Sequence, residues 1–417
     1  MIESYLSTYA EAGAKTLLTD KRLSSNIYWP QADSKHVWQG CLIIPAFDES
    51  FAHLDRQLGL LAEANVLVIL VINAPVGAAA ESIRRTEELL ASCIGRHHAH
   101  VMVLDHVSKP YRLNPKQGVG LARKIGCDLG LALYFLGRIR SPWLLQSDAD
   151  VVFPEGYTSV FSANTDGTPD KELSDGALIF PHTHHSDDPV LHRAASLYDL
   201  HMAYYVAGLS VAGSPYAHHS LGSTIAVHAD AYAGVRGYPK RSAGEDFYLL
   251  NKVRKIAPIK RLLEPTLTIQ ARPSSRVPFG TGPALQRIIQ SLAEDPSGNG
   301  YLSYHPTCFT LLARAINALD QWTIDQGAVD QNHVDDDPVL ERLQTLGLER
   351  FATKVSQQKT TAGRRQRSAR DWFDGLKTLQ FVRSWSDTYP DQPLQQTVAN
   401  LPPNFQSKVF EFQTNTD

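Results

Sequence analysis

Short unbroken apolar runs alternate with longer amphipathic stretches between residues 40 and 260. The runs at 41–45, 66–73, 101–104, 143–146 and 177–180 are apolar on both sides of the pleat, as expected for strands covered on both faces. Between them, 49–64 carries Phe51, Leu54, Leu58 and Leu61 at helical spacing. Residues 78–94 are rich in Ala, Glu and Leu, and 118–136 place Val119, Ala122, Ile125, Leu129 and Leu133 three or four apart. The alternation predicts an α/β fold, a mostly parallel sheet with helices on both faces. Residues 1–38 read as a helical preface and a loop, and 188–210 and 244–256 as further helices. From 281 to 417 the pattern is mainly helical, at 283–294, 306–321, 338–357 and 368–386. The acidic stretch 330–337 reads as a loop, and the tail after Pro402 is expected to be poorly ordered. Three domains follow: 1–38, 39–280 and 281–417.

Ligands of such sheets bind beyond the carboxyl ends of the strands. That rule puts Pro45-Ala46-Phe47-Asp48-Glu49, Asn73-Ala74-Pro75 and Asp148-Ala149-Asp150 on one rim. The last is the notable one, because "WLLQSDADVVFPEG" runs an apolar strand into two aspartates. Carboxylates are costly there unless paired. Residues i and i+2 face the same way, so both can converge on one Mg²⁺ or Mn²⁺, which takes hard oxygen ligands and substrate phosphates. Such an ion neutralises a diphosphate leaving group. A capping turn accounts for the same residues. Glu245 and Asp246, in Ser242-Ala-Gly-Glu-Asp-Phe247, suit a first helical turn and equally a general base aimed across a cleft. Lys116-Gln-Gly-Val-Gly-Leu-Ala-Arg123 is either an anion cradle at a helix start or an ordinary loop and helix. It is neither a P-loop nor a good dinucleotide fingerprint.

Composition narrows the classes. A chain of 417 residues holds two or three domains. A formal net charge of −3 with 20% charged residues excludes a bulk nucleic-acid binder. The four cysteines, Cys41, Cys93, Cys127 and Cys308, form no CxxC pair, so neither a disulfide framework nor a zinc site is expected. The first residues do not read as a signal peptide. The longest apolar runs fall far short of the ~20 residues of a membrane span. A soluble, cytoplasmic protein is expected.

The four motifs, Pro45-Ala-Phe-Asp-Glu49, Gly118-x-x-x-Ala-Arg123-x-x-Gly126, Asp148-Ala-Asp150 and Gly244-Glu-Asp246, stand in the order of family 2 glycosyltransferases. The chain resembles that family over residues 40–270. The resemblance implies the GT-A fold, which is Rossmann-like, and a nucleotide-sugar donor, UDP- or GDP-linked. It implies that Pro45, Ala46, Phe47 and Glu49 line the base, although the family usually reads Pro-x-Tyr-Asn-Glu. Asn73 stands where the family often has an aspartate, and its amide can donate as well as accept. Lys116, Arg123, Arg272 and Arg276 are implied donor contacts, the last two on a loop able to close over a diphosphate or simply a linker. Asp148 and Asp150 are the implied metal site, Asp246 the base and Glu245 a positioner of the acceptor. The implied reaction is one in-line displacement with inversion. No Gln-x-x-Arg-Trp motif or membrane helix is present, so a non-processive enzyme is expected, acting on an unknown hydroxyl acceptor, with a possible homodimer. The histidines at 182, 184, 185, 218 and 219 read as solvated or metal-binding, and Tyr216 as an acceptor contact. The basic run 364–370 reads as a solvated face, or as a surface for an anionic acceptor or membrane. A retaining GT-A enzyme acting on a small acid such as glycerate, and a non-catalytic nucleotide or glycan binder, are the alternatives.

Overall fold

A computed structural model describes residues 1–20, 25–30, 36–162, 173–274, 280–324, 337–357 and 361–413. It divides into two compact units, Met1–Asp187 with Ser220–Pro283, and Asp188–His219 with Ala284–Asp417.

The strands of the first unit are β1 (Ile27–Tyr28), β2 (Gly40–Ala46), β3 (Val66–Asn73), β4 (Val101–His106), β5 (Trp143–Gln146), β6 (Val151–Val152), β7 (Ala177–Ile179), β8 (His182–His185), β9 (Ile225–His228), β10 (Ile259–Arg261) and β11 (Leu267–Gln270). Eight of them form one mixed, mostly parallel sheet in the order β1-β4-β3-β2-β5-β9-β7-β10. The block β4-β3-β2-β5 is parallel, and β9 runs antiparallel between β5 and β7. A small second sheet joins β6, β11 and β8.

The helices are α1 (Ile2–Thr8), α2 (Ala12–Asp20), α3 (Phe51–Leu60), α4 (Ala80–Arg96), α5 (Gly118–Phe135), then α6 (Pro189–Val211) in the second unit, followed by α7 (Ala229–Gly234) and α8 (Glu245–Val253) in the first. Every residue of β2 and β3 is buried, so alternate side chains feed two cores. Cys41, Ile43, Ile69 and Val71 pack with Leu129 and Leu133 of α5. Leu42, Ile44, Val68 and Leu70 pack with Leu54 and Leu58 of α3 and Leu89 of α4. Gly126 lets α5 lie close on β2, because a Cβ there would sit 2.5 Å from Ile43 Cγ2. The preface is more than helical: β1 pairs antiparallel with β4 at the edge of the sheet.

The second unit continues with α9 (Thr281–Glu294, from Ala284 onward), β12 (Leu302–Ser303), α10 (Thr307–Ile324), α11 (Pro338–Thr345), α12 (Leu348–Ser356), α13 (Ala362–Trp372), α14 (Gly375–Arg383), β13 (Gln392–Pro393), α15 (Leu394–Ala399) and α16 (Pro403–Phe412). The single helix expected over 338–357 is two, divided at Gly347, whose φ of 91° no continuing helix accepts. The one expected over 368–386 is also two, with Asp374 capping the second through the Lys377 N–H. The tail expected to be poorly ordered is helical over α16, which buries Phe405 and Val409 against α6. The acidic loop lies outside the described residues except for Asp337, which caps α11. Among the described residues no helix is long and apolar enough to cross a membrane, and all four cysteines are free and buried.

Candidate active site

The register aligns the ends of β2, β3 and β5, with Ala46 beside Ile72 and Ile43 beside Gln146. The chain leaves β2 through Phe47 and Asp48. Asp48 adopts a φ of 59°, a left-handed conformation that costs a non-glycine residue about 1–2 kcal/mol. Helix α4 holds it there. Arg85 grips both carboxylate oxygens, with Nη2 donating to Oδ2 at 2.7 Å, and the Asp48 N–H donates to Thr86 Oγ1 at 3.0 Å. The next residue, Glu49, is gripped by Arg272, which donates from Nη1 to Oε2 at 2.7 Å. The same guanidinium lies 3.1 Å from Asp150 Oδ2. Arg272 therefore ties the loop after β2 to the second aspartate of the Asp-x-Asp pair.

Arg123 makes a second knot. It is only 2% exposed, and α5 delivers it beneath the loop after β5. Its Nε donates to Glu245 Oε1 at 3.0 Å, its Nη2 to Asp148 Oδ1 at 2.6 Å and its Nη1 to the Ser147 carbonyl at 3.4 Å. Gly222 leaves room for it, since a Cβ there would fall on the guanidinium. Glu245 opens α8 after Gly244, which has a φ of 68°. Burial, with Asp246 adding to it and Arg123 opposing, pushes the Glu245 carboxyl up to about 7. Asp246 is half-buried and accepts from the Phe247 N–H at 2.7 Å. Burial also raises its pKa; Asp148 adds to the rise, while the Phe247 and Gly222 N–H groups and Arg123 oppose it.

Seven of the expected site residues thus form one group: Glu49, Arg123, Asp148, Asp150, Glu245, Asp246 and Arg272. Arg123 and Glu245 face each other inside the protein, with side chains 3% and 6% exposed, and Arg123 holds Asp148 from that buried side. Asp148 and Asp150 keep side-chain exposures of 38% and 17%. Their oxygens fit a hard cation, and the guanidinium at Asp150 shows that a positive charge is accommodated there.

Pro45 and Ala46 are buried at the end of β2, and Phe47 packs on the core beside α3. Asn73, 5% exposed at the end of β3, has an Oδ1 without a hydrogen-bond partner. Lys116 is exposed before α5, its N–H donating to Asn114 Oδ1 at 3.0 Å. Arg276 lies outside the described residues. The glycines of α5 serve the chain itself. A Cβ on Gly118 would sit 2.8 Å from Ser242 Cα, and one on Gly120 2.5 Å from the Arg241 carbonyl oxygen. The loop 239–242 therefore covers that helix start, where an anion was one expectation. His182 and His184 are buried in β8. Tyr216, His218 and His219 belong to the second unit, where Tyr216 donates to the Arg370 carbonyl and His219 Nε2 lies 3.3 Å from the Phe412 carbonyl. In the basic run, Arg370 pairs with Asp320 at 3.2 Å. The Arg85–Asp48 grip was not foreseen, because nothing local in α4 distinguishes Arg85 from Arg84.

No family model and no curated protein matches the chain. Among solved structures it is similar to the mannosyltransferase PcManGT from Pyrobaculum calidifontis in complex with GDP-Man and Mn²⁺, at a TM-score of 0.35 and 12% identity over 99% of this chain and 97% of that one.

Proposed function

We propose that the first unit is a GT-A glycosyltransferase of the family 2 type, moving a sugar from a UDP- or GDP-sugar to an acceptor hydroxyl with inversion. One observation carries the reading: Asp148, Asp150 and Asp246, from distant parts of the sequence, gather at the carboxyl ends of the parallel strands around two guanidiniums. Asp246 is the base. Its raised pKa keeps it a competent proton acceptor, and the Phe247 N–H fixes one carboxylate oxygen while the acceptor hydroxyl gives its proton to the carboxylate. Arg123 and Glu245 hold Asp148 and the start of α8 in place. Asn73 and Phe47 offer a buried amide and a ring to the base. Asp148 and Asp150 would hold Mg²⁺ or Mn²⁺, which when bound neutralises charge on the diphosphate.

The test is a thermal-shift screen of nucleotide-sugars with and without Mn²⁺, since a ligand of the folded state raises its melting temperature. Asp150→Ala should abolish the metal-dependent shift. Asp246→Asn should keep the donor shift and lose transfer. Undiminished turnover in Asp246→Asn, or a product with retained configuration, rejects Asp246 as the base.

A further inference from the structure

The second unit contains a cleft of about 360 Å³, a size that holds a small molecule. Four elements build it: His201 from α6, Ser303 and Tyr304 from β12 and its exit, Arg383 and Ser386 from the end of α14, and Asp391 just before β13. The floor is fixed. The β12–β13 ribbon pairs Leu302 with Pro393 and Ser303 with Gln392. The Tyr304 carbonyl accepts from the Tyr204 hydroxyl at 2.7 Å, and the Tyr304 hydroxyl accepts from Arg383 Nε at 3.3 Å. His201 Nδ1 lies 2.9 Å from Ser303 Oγ. Burial, with Arg383 adding to it, lowers His201 to about 4, so its ring is neutral, and with Nδ1 on Ser303 only Nε2 is left for a further hydrogen bond.

Among the described residues, the Asp391 carboxylate, the Ser386 hydroxyl and the Arg383 Nη atoms make no hydrogen bond or ion pair, and Arg383 and Asp391 attract each other without closing a direct ion pair. A carboxylate and a guanidinium therefore share one cleft, beside a neutral imidazole, a hydroxyl and the Tyr304 ring. An anion meets the repulsion of Asp391, and a cation that of Arg383. A ring of hydroxyls meets neither, because each hydroxyl donates to a carboxylate and accepts from a guanidinium at once.

We propose that this cleft is a binding site for an uncharged polyhydroxy ligand, a hexose ring or similar polyol, separate from the carboxylate site of the first unit. It stands whether or not that unit transfers sugar.

The test is saturation-transfer NMR on the intact chain. The probes are methyl hexopyranosides (gluco, manno and galacto), inositol, free serine as a zwitterion and inorganic phosphate. One hexopyranoside or inositol should receive saturation with a millimolar Kd. Asp391→Asn and Arg383→Gln should each weaken it about ten-fold, the ~1.4 kcal/mol expected when one hydrogen bond to a charged group is lost. Asp150→Ala should leave it unchanged. Both replaced side chains are exposed, so melting temperatures should not move; should Arg383→Gln lower its own, Ser386→Ala takes its place. No transfer to any polyol, a signal surviving both variants, a signal lost in Asp150→Ala, or tighter binding of serine or phosphate each overturns the proposal.

Discussion

Replacing Arg123 by Met tests the central knot of the carboxylate site. Met keeps the apolar stem but removes the guanidinium from Glu245 and Asp148. Asp148 has a 38% exposed side chain and is rehydrated, so its share of the loss is about 1 kcal/mol or less. Glu245 has a 6% exposed side chain, and stranding a buried charge costs about 3–5 kcal/mol. The carboxyl escapes part of that by holding a proton. In the native protein it titrates at about 7, above the 4.5 of a free glutamate, so the folded state binds more protons than the unfolded one between those values. Stability then falls as pH rises and levels off above about 7. Without Arg123 the pKa moves higher and the fall continues. Below about pH 7 the two proteins should therefore differ by a constant amount, and above it the gap should widen by about 1.4 kcal/mol per pH unit. Between about pH 7 and pH 8.5 that is about 2 kcal/mol. Urea unfolding at pH 6 and pH 8.5 reads this directly, and the widening should vanish in a Glu245→Gln background. An equal loss at both pH values, or a gap that survives Glu245→Gln, refutes the idea that Glu245 depends on Arg123.

Three other outcomes are expected. Gly120→Ala places a methyl 2.5 Å from the Arg241 carbonyl oxygen and 2.6 Å from that of Pro239, so it should lower stability by about 1–3 kcal/mol; an unchanged urea midpoint would show that the loop 239–242 gives way freely. Asp128→Asn leaves the buried Lys124 ammonium, 2.9 Å from Asp128 Oδ2, without its counter-charge and disturbs bonds from Tyr5, Tyr232 and the Glu11 N–H. It should cost about 3–5 kcal/mol in the same assay, and a loss under about 1 kcal/mol would mean that water replaces the carboxylate. Arg272→Gln removes the cation beside Asp150, so the Mn²⁺-induced rise in melting temperature should grow; a smaller rise would mean that Arg272 aids the ion instead of competing with it.

The elements legible in the sequence are those with one strong periodicity. β3 and β5 end where their apolar runs end because every residue in them is buried. β8 reads His-Thr-His-His, and its two buried histidines carry no apolar signal. β1 and β6 are two-residue strands, too short for any period. α16 needs only Phe405 and Val409 on its buried face, a stripe too narrow to stand out in a polar tail. That α6 packs with α10 and α16 is a long-range fact with no local mark. The same division holds at the site. Its aspartates are visible as polar residues where apolar runs stop. The resemblance also singles out Arg123, Arg272, Glu49 and Glu245, but as contacts of donor and acceptor; that they pair with one another has no local mark, because Arg123 and Glu245 are 122 residues apart and Arg272 and Glu49 are 223 apart.

The arrangement has one electrostatic consequence. Glu49, Asp148, Asp150, Glu245 and Asp246 gather around Arg123 and Arg272, so five carboxyls share two fixed cations. Full ionisation would leave an excess of negative charge in a partly dehydrated place. At one end burial eases it by favouring a proton on Glu245, whose carboxyl is pushed up to about 7. At the other end Glu49 and Asp150 share a single guanidinium, and Asp148 and Asp150 remain partly open to solvent. A mobile divalent cation entering there would complete the neutralisation where burial is least and an arriving phosphate could share it. Glu245 lies at the dry end, and the more exposed carboxylates of Asp148 and Asp150 lie at the wet one. Arg123 serves the end with Glu245 and Asp148, and Arg272 the end with Glu49 and Asp150, so under the proposed function replacing Arg123 should disturb transfer more and replacing Arg272 should disturb cation binding more.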